Sequence, residues 1–243
     1  MGLIGYLIYF NTIKSDDFIN SPYNTRQDTF ADRVVRGKIM SSDGEVLAQT
    51  NVSEDGTEER SYPYSNVFAH VVGYDSNGKS GLESEANFQL LSSHEFFLNQ
   101  IRNEFMGTKN TGDTVVSTLN ADLQTTAYNS LGDRRGAVVA LEPSTGKILA
   151  MVSKPDFDPN TISENWDTLV NDETNSSLLN RATMGQYPPG STFKVVTALD
   201  YFRTKGSFNG FSFDCQGSIT KENHTIQCYN GKVHGTEDFY TAF

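Results

Sequence analysis

The residues with the clearest chemical potential are a serine and a lysine three positions apart, Ser191 and Lys194. A free serine hydroxyl is a weak nucleophile and needs a base beside it. A lysine amine can be that base when burial and nearby positive charge lower its pKa. Residues i and i+3 share a helical face, so the two side chains can meet if a helix begins here. The pair predicts acyl transfer through a serine ester, with Ser191 as nucleophile and Lys194 as base.

The Ser-x-x-Lys spacing alone is weak, because about one match is expected by chance in a chain of this length. The four matches are Ser76/Lys79, Ser144/Lys147, Ser191/Lys194 and Ser218/Lys221. Two lie in turn compositions, and the last lies in an alternating strand that sends its serine and lysine to opposite sides. Only Ser191 precedes a long apolar run. A purely structural role as a helix N-cap also fits a serine at that position.

The elements around Ser191 follow from proline, glycine and apolar spacing. Tyr187-Pro-Pro-Gly190 prevents a regular helix before the serine. Apolar residues on nearly every side from Phe193 to Phe202 predict a buried helix that ends at Lys205-Gly206. The long polar stretch from Lys154 to Tyr187 is expected to be an irregular loop that borders the site.

Upstream elements are read from hairpin and capping signals. Gly136–Leu141 and Lys147–Val152 are two apolar strands joined by a turn, and we expect helices to bury both of their faces. Asn120 caps a helix that runs to Tyr128. Arg33–Ala48 reads as strand, Asp-Gly turn and strand, and Gln49–Arg60 as a solvated loop.

A polar helical segment is expected from Gly81 to about Asn103. Lys79-Ser-Gly81 has the Lys-Ser-Gly sequence of some serine acyltransferase sites. We assign it no catalytic role, because it sits in a turn far ahead of Ser191.

Composition narrows the function classes. The chain has 243 residues and a net charge of −11, which argues against nucleic acid as a partner. It contains no glycine-rich phosphate loop and no His-Glu-x-x-His, and its histidines have no metal-ligand spacing. We therefore read His70, His94, His224 and His234 as ordinary loop or surface residues, and expect no cofactor and no metal. Cys215 and Cys228 are either a disulfide or two free thiols, and a location outside the cytoplasm would favour the disulfide.

The first ten residues, Met1–Phe10, are apolar throughout but cover only about half of a bilayer span. They lack a basic leading segment and a cleavage site, so they are not a complete signal peptide. They are either a short buried helix or the outer half of a membrane-spanning segment. The aromatic residues at the end of the stretch suit a membrane interface and favour the second reading.

Taken in order, several stretches resemble the class B penicillin-binding proteins. They are Asn24-Thr-Arg-Gln27, Arg33-Val-Val-Arg-Gly37, Asp43–Ala48, Gly81-Leu-Glu83, Ala140–Met151, Arg181-Ala-Thr183, Pro188–Lys194, Asp214-Cys215, Cys228 and His234-Gly235. The resemblance implies an α+β fold. An N-terminal pedestal would precede part of a serine transpeptidase or β-lactamase-like domain, in which helices surround an antiparallel sheet. The implied domains are a partial membrane segment at 1–13, a pedestal or dimerisation domain at 20–112, and the first part of the transpeptidase domain at 113–243.

The resemblance also implies an activity and partners. Such an enzyme is a single-pass membrane protein whose catalytic domain lies outside the cytoplasm, where it crosslinks peptidoglycan stem peptides as a D,D-transpeptidase. Ser191 would attack the penultimate D-alanine carbonyl and Lys194 would take its proton. The backbone N–H of Ser191 would be one oxyanion donor. β-Lactams would acylate the same serine. A homodimer through the pedestal and contacts with other cell-wall synthesis proteins are further implied partners.

Two motifs of the family are absent after Ser191. No Lys-Thr/Ser-Gly follows it, and Ser207-Phe-Asn209 stands too close to the helix end to be the family's Ser-x-Asn. We therefore expect a fragment cut at both ends, poorly stable alone and unable to acylate. Exposing its nucleophile helix to water would cost about 25 cal/mol per Å² of apolar surface.

Two other functions stay open. A serine β-lactamase can carry Ser-Thr-Phe-Lys, but it needs no pedestal, so residues 20–110 speak against it. A non-catalytic cell-wall scaffold or a β-lactam sensor would use Ser191 as a cap or as a covalent ligand site. A role in elongation or division, the stem-peptide chemistry and the oligomeric state are left open by the sequence.

Overall fold

The computed structural model describes residues 2–14, 33–95 and 97–243, so the family-like stretch Asn24-Thr-Arg-Gln27 lies outside the described residues. The chain divides into two compact units, Met1–Gly185 and Gln186–Phe243. Both units mix helices with short strands, which confirms the α+β class.

The first unit holds eight helices and eight strands among its described residues. The helices are α1 Gly2–Tyr9, α2 Ala69–Val72, α3 Gly81–Glu85, α4 Asn87–Leu91, α5 Phe97–Met106, α6 Ala121–Leu131, α7 Ile162–Val170 and α8 Arg181–Met184. The strands are β1 Val34–Val35, β2 Ile39–Met40, β3 Val46–Val52, β4 Glu58–Ser61, β5 Asn110–Thr111, β6 Val115–Val116, β7 Gly136–Glu142 and β8 Lys147–Lys154.

The N-terminal strands form a four-stranded sheet in the order β4-β3-β2-β6. The predicted hairpin at Asp43-Gly44 is confirmed, because Ile39 pairs with Ala48 across it. The prediction of a solvated loop from Gln49 to Arg60 is wrong, since β3 and β4 pair antiparallel there. The sequence gives no apolar alternation for these strands, because both faces of the ribbon are largely exposed or carry charge pairs.

A buried ion cluster fixes the strands to α3. Glu83 is fully buried and accepts Nε–H of Arg36 at 2.6 Å and Nε–H of Arg60 at 2.8 Å. Arg36 also donates to Asn87 and to the Glu83 carbonyl. The buried carboxylate is thus paired and hydrogen-bonded on both of its oxygens, which offsets part of the cost of removing its charge from water.

Gly37 and Gly112 allow close backbone contacts between segments of the first unit that are distant in sequence. Gly37 N–H donates to the Leu90 carbonyl and Gly112 N–H to the Val35 carbonyl, both at 2.8 Å. A Cβ on Gly112 would lie 1.9 Å from the Leu90 oxygen, and one on Gly37 would lie 2.0 Å from the Asp113 oxygen. Any side chain at either position would push the chains apart.

Helix α6 joins the N-terminal sheet to the β7–β8 hairpin. Asn120 is its N-cap as predicted, and its side chain accepts the Leu123 N–H at 2.8 Å. Gln124 is fully buried and makes three hydrogen bonds, to the Val67 carbonyl and to both backbone groups of Met151. These bonds satisfy buried backbone groups that would otherwise be left unpaired.

The β7–β8 hairpin is confirmed, with Val138 paired to Val152, but its predicted double burial is wrong. Ala150 and Val152 on β8 pack against Ala127 of α6. Val139 and Leu141 on β7 are 43% and 55% exposed. Apolar composition predicts that a strand will be covered, but it does not say which element covers it.

The expected irregular loop from Lys154 to Tyr187 contains two helices, α7 and α8. Helix α7 buries Ile162, which packs with Phe157 and Ala69. His70 adds a bond from its Nε2 to the Ser177 carbonyl at 2.9 Å. The helix was missed because acidic and amide residues interrupt its apolar spacing.

The second unit contains a long helix, a short one and four strands. They are α9 Lys194–Lys205, α10 Phe239–Ala242, β9 Phe213–Cys215, β10 Ser218–Lys221, β11 His224–Gln227 and β12 Gly235–Glu237. β10 pairs with β11, and β9 pairs with β12, both antiparallel. The strand predicted around Ser218 and Lys221 is confirmed as β10.

Candidate active site

Ser191 lies in a short 3-10 turn, Gly190–Phe193, that leads directly into α9. Gly190 has φ +54°, a backbone conformation that favours glycine. Thr192 Oγ1 donates to the Pro189 carbonyl at 2.6 Å and closes the turn. The proline-glycine sequence therefore breaks the chain before the serine, as predicted.

Helix α9 ends where the sequence predicted. Gly206 follows Lys205 in the left-handed conformation, with φ 73°, and its N–H donates to the Phe202 carbonyl at 2.7 Å. The predicted burial of α9 is wrong. Val196 and Leu199 are 52% and 57% exposed, and none of the helix's residues is buried.

Aromatic neighbours explain which part of α9 is covered. Within residues 186–243, Tyr201 has Phe208, Phe211 and Phe239 around it, and Phe208 stacks on Phe239 with ring centroids 3.9 Å apart. This cluster covers one side of the helix only. The apolar residues on all sides of α9 predict that other elements pack around the whole helix. Within residues 186–243, such packing occurs only around Tyr201.

Ser191 and Lys194 are both exposed. The Lys194 Nζ donates to the Phe243 carbonyl at 3.1 Å, and among the described residues no hydrogen bond joins it to Ser191 Oγ. The lysine borders an apolar cleft of ≈190 Å³ within the second unit. Its lining consists of Lys194, Thr197, Ala198, Tyr201, Phe211, Phe239, Ala242 and Phe243. Ser191 and Lys194 thus stand one turn apart, with Lys194 beside an apolar cleft and without a hydrogen bond between the two side chains.

The other Ser-x-x-Lys matches lie where the sequence placed them. Ser144 is in the β7–β8 turn and Ser218 is in β10. The Ser207-Phe-Asn209 stretch is a tight turn, in which Asn209 N–H donates to Ser207 Oγ at 3.0 Å.

A second group of reactive side chains gathers in the second unit. The favoured disulfide is wrong for this structure, because Cys215 and Cys228 are free thiols with their Sγ atoms 3.5 Å apart. His234 Nδ1 lies 3.5 Å from Cys215 Sγ. The hydrogen bond from the His234 side chain lowers the pKa of the Cys215 thiol to about 6.

His234 lies in an exposed loop, as the sequence predicted, but its contact with Cys215 was not foreseen. The signal that could have found it is the order of two cysteines and a histidine around a predicted hairpin. A hairpin brings its flanks together, so residues 215, 228 and 234 can converge although their spacing is wide.

Comparisons with known proteins decide the family. The family model described as the penicillin-binding protein transpeptidase domain matches residues 136–243. A second model, the penicillin-binding protein A dimerisation domain, matches residues 36–115. The chain belongs to the penicillin-binding proteins.

Curated relatives in this family are peptidoglycan D,D-transpeptidases. The chain is 42% identical over 180 residues to PbpA of Mycolicibacterium smegmatis, a match that covers 67% of this chain and 36% of PbpA. It is 30% identical over 184 residues to MrdA of Escherichia coli K12, covering 61% of this chain and 29% of MrdA. The chain thus spans about a third of these relatives' lengths.

Solved structures of penicillin-binding proteins are similar to the fold. Penicillin-binding protein A from M. tuberculosis, solved as a ceftriaxone acyl-enzyme complex, gives a TM-score of 0.77 at 29% identity, covering 89% of this chain and 52% of that one. A D,D-transpeptidase domain from Eggerthella lenta gives 0.75 at 32% identity, covering 86% of this chain and 47% of that one.

Proposed function

We propose that this penicillin-binding protein is a peptidoglycan D,D-transpeptidase that works through a Ser191 acyl-enzyme. The observation that carries the proposal is the placement of Ser191-Thr-Phe-Lys194 at the turn into α9, inside the matched transpeptidase domain. Relatives named D,D-transpeptidase and a β-lactam acyl-enzyme structure in the family support it.

The proposed reaction has two acyl transfers. Ser191 Oγ gives its proton to the Lys194 amine and forms an ester with the penultimate D-alanine carbonyl of a stem peptide. The C–N bond breaks, and the terminal D-alanine leaves with the proton on its amine. An amine of a second stem then attacks the ester, forms the crosslink and returns the proton to Ser191.

Lys194 has to move for this reaction. Its Nζ now donates to the Phe243 carbonyl, and a base must come within about 3 Å of the proton that it takes. The N-terminus of a helix carries positive potential, which favours the alkoxide that forms on Ser191. A rotamer change that carries the amine toward Ser191, on the shared helical face, would bring the pair into contact.

The remaining assignments are part of the same proposal. The domains are a partial membrane segment at 1–13, a pedestal at 20–112 and transpeptidase sequence at 113–243. The apolar, wholly exposed helix α1 supports a membrane location with the catalytic domain outside the cytoplasm. The description of the matched pedestal model supports pairing of two copies. No described helix is long and apolar enough to cross a bilayer.

A fluorescent penicillin tests the nucleophile in the full-length gene product. We expect Ser191→Ala and Lys194→Ala to abolish covalent labelling. Matched controls are Ser144→Ala and Lys147→Ala, which remove the same residue types at the same spacing from the β7–β8 hairpin. We expect both controls to label like the unchanged protein. Labelling that survives in Ser191→Ala would contradict the assignment.

The same labelled protein separates the alternatives. A transpeptidase stays acylated after free penicillin is removed, whereas a β-lactamase loses the label by hydrolysis. A scaffold would support growth in cells whose only copy carries Ser191→Ala. We expect slow loss of label and no growth.

A further inference from the structure

Helix α5, Phe97–Met106, turns a row of apolar side chains to solvent. Leu98, Ile101 and Phe105 follow the i, i+3, i+7 spacing of one helical face. Their side chains are 61%, 37% and 90% exposed, and the adjacent Met106 is 67% exposed. Large apolar residues gathered on one exposed face mark a surface that binds another body. These four residues are called the apolar row below.

The opposite side of α5 attaches the helix to the first unit. Asn103 Nδ2 donates to Asn110 Oδ1 at 3.0 Å and to Glu95 Oε2 at 3.3 Å. The Asn103 carbonyl accepts the Thr108 N–H at 2.9 Å, which closes the end of the helix. At 3.6 residues per turn, Asn103 and Phe105 point about 160° apart. The contacts of Asn103 therefore hold the apolar row away from the unit.

We propose that α5 lies in the surface of the membrane, with the apolar row buried at the boundary between headgroups and acyl chains. Amphipathic helices that carry Phe and Leu on one face bind membrane surfaces in this way, parallel to the bilayer plane. This placement rests on the membrane location proposed above for α1 and not on acyl transfer. Helix α5 would be a second, peripheral contact with the same bilayer.

The position of α1 in the chain brings the first unit close to that bilayer. All residues of α1 are exposed and none is charged. Residues 15–32 connect it to the described part of the unit, and this stretch could reach at most ~60 Å when fully extended. A body tethered over such a distance meets the surface at high effective concentration, so a small apolar face is enough to bind.

A second copy of the chain is the competing occupant, because the dimerisation model matches residues 36–115 and so includes α5. The apolar row is too small for that role. A standard stable interface buries about 800 Å² on each partner, and four side chains of one ten-residue helix cover much less. A fluid lipid surface needs no complementary shape, so the row can bury there without further contacts.

The charges beside the apolar row fit the level of the lipid headgroups. Arg102 on α5 is exposed, and Lys109 just after the helix is 38% exposed. Long basic side chains keep their charge in water while their stems lie along apolar surface. The net charge of −11 disfavours an anionic surface. We therefore expect the apolar row to drive binding, and zwitterionic lipid to be sufficient.

Quenching of a single tryptophan by brominated lipid tests the placement in the 243-residue chain. Trp166→Phe removes the one native tryptophan, and Phe105→Trp then puts one in the apolar row. With phosphatidylcholine vesicles brominated in the acyl chains, we expect its emission to shift to shorter wavelength and to lose intensity. Asn99→Trp in the same background is the matched control. Asn99 is an exposed polar residue about 120° around the helix from Phe105, so its emission should change little.

Flotation of the chain with the vesicles separates this placement from the membrane location of α1. A chain that floats while the Phe105→Trp emission stays unchanged would keep α1 in the membrane and overturn the placement of α5. A chain that does not float would overturn both. An emission shift that appears without lipid and grows with protein concentration would assign the apolar row to a second copy, and so would also overturn the placement.

Hydrogen exchange of the unchanged chain gives an answer that needs no substitution. Amides of α5 should exchange more slowly when vesicles are added, because burial in the interface limits access of water and opening of the helix. Amides of α6, which is fixed within the first unit by Gln124, should not change. Equal rates in α5 with and without vesicles would contradict the proposal.

Discussion

At the residue scale, Glu83 is a buried carboxylate whose charge pairs hold several elements of the first unit together. It is fully buried between Arg36 and Arg60. Glu83→Gln would remove the carboxylate that pairs with both buried guanidinium groups, so we expect a loss of about 3–5 kcal/mol in the free energy of unfolding. Urea denaturation followed by circular dichroism measures this loss.

A partly exposed ion pair provides the comparison for Glu83. Glu58 contacts Lys109 at 2.7 Å, with 27% and 38% of the two side chains exposed. Glu58→Gln should change the free energy of unfolding by less than about 1 kcal/mol. Equal losses in the two variants would mean that burial does not set the strength of the Glu83 contacts.

His70 links stability to pH. Burial lowers its pKa from 6.5, so the folded state favours the neutral ring that donates to the Ser177 carbonyl. The unfolded chain takes up a proton near 6.5 and the folded chain only at lower pH. The contribution of His70 is therefore fully present above pH 6.5 and is lost as the pH falls toward the lowered value.

The measurement for His70 is the unfolding midpoint between neutral and mildly acidic pH. We expect His70→Gln to flatten the decline on acidification, because glutamine does not titrate. His224→Gln, on an exposed strand, should leave the decline unchanged. A decline of the same size in His70→Gln would assign the effect to other groups.

At the element scale, α6 depends on one side chain. Gln124 pairs with the Val67 carbonyl and with both backbone groups of Met151. Gln124→Met keeps the volume but leaves these buried groups without partners, so we expect a loss on the order of 3 kcal/mol in the free energy of unfolding. Chemical denaturation of the variant measures it.

The control for Gln124 is Gln89→Met on α4, where the side chain is exposed. This substitution should change the free energy of unfolding by less than about 0.5 kcal/mol. A small effect at Gln124 would show that water replaces its three hydrogen bonds.

Elements with a local signal were predictable from the sequence. The Asp43-Gly44 turn, the Asn120 cap and the Gly206 stop are each decided by a few neighbouring residues, and each prediction is confirmed. Elements decided by distant partners were not. The β3–β4 ribbon was missed because Arg60 is kept in a strand by Glu83, a residue 23 positions away.

The same distinction between local and distant contacts decides which features of the candidate site could be predicted. The turn that carries Ser191 follows from proline and glycine chemistry and could be predicted. The Lys194 contact with the Phe243 carbonyl and the meeting of His234 with two cysteines join residues 49 and 19 positions apart. No local pattern contains such contacts. The roles of Ser191 and Lys194 stay predictions.

At the scale of the whole molecule, burial is unequal between the two units. The first unit holds three clusters of buried hydrophobic residues, whereas α9 in the second unit buries none of its residues. Amide exchange follows local opening, which is easier where few apolar contacts form. We expect amides of β8 to exchange much more slowly than those of α9, as measured by hydrogen–deuterium exchange with mass spectrometry.

Uniform exchange across β8 and α9 would contradict the inferred difference between the units.

The bare contacts of Gly37 and Gly112 affect how the first unit responds to force. Because main chain rests on main chain there, no side chain can rotate to absorb a displacement. A force applied to the segment before Arg36 would be transmitted through these two backbone contacts to the strand that begins at Val115. Tension from one end would therefore reach the start of α6 with little slack.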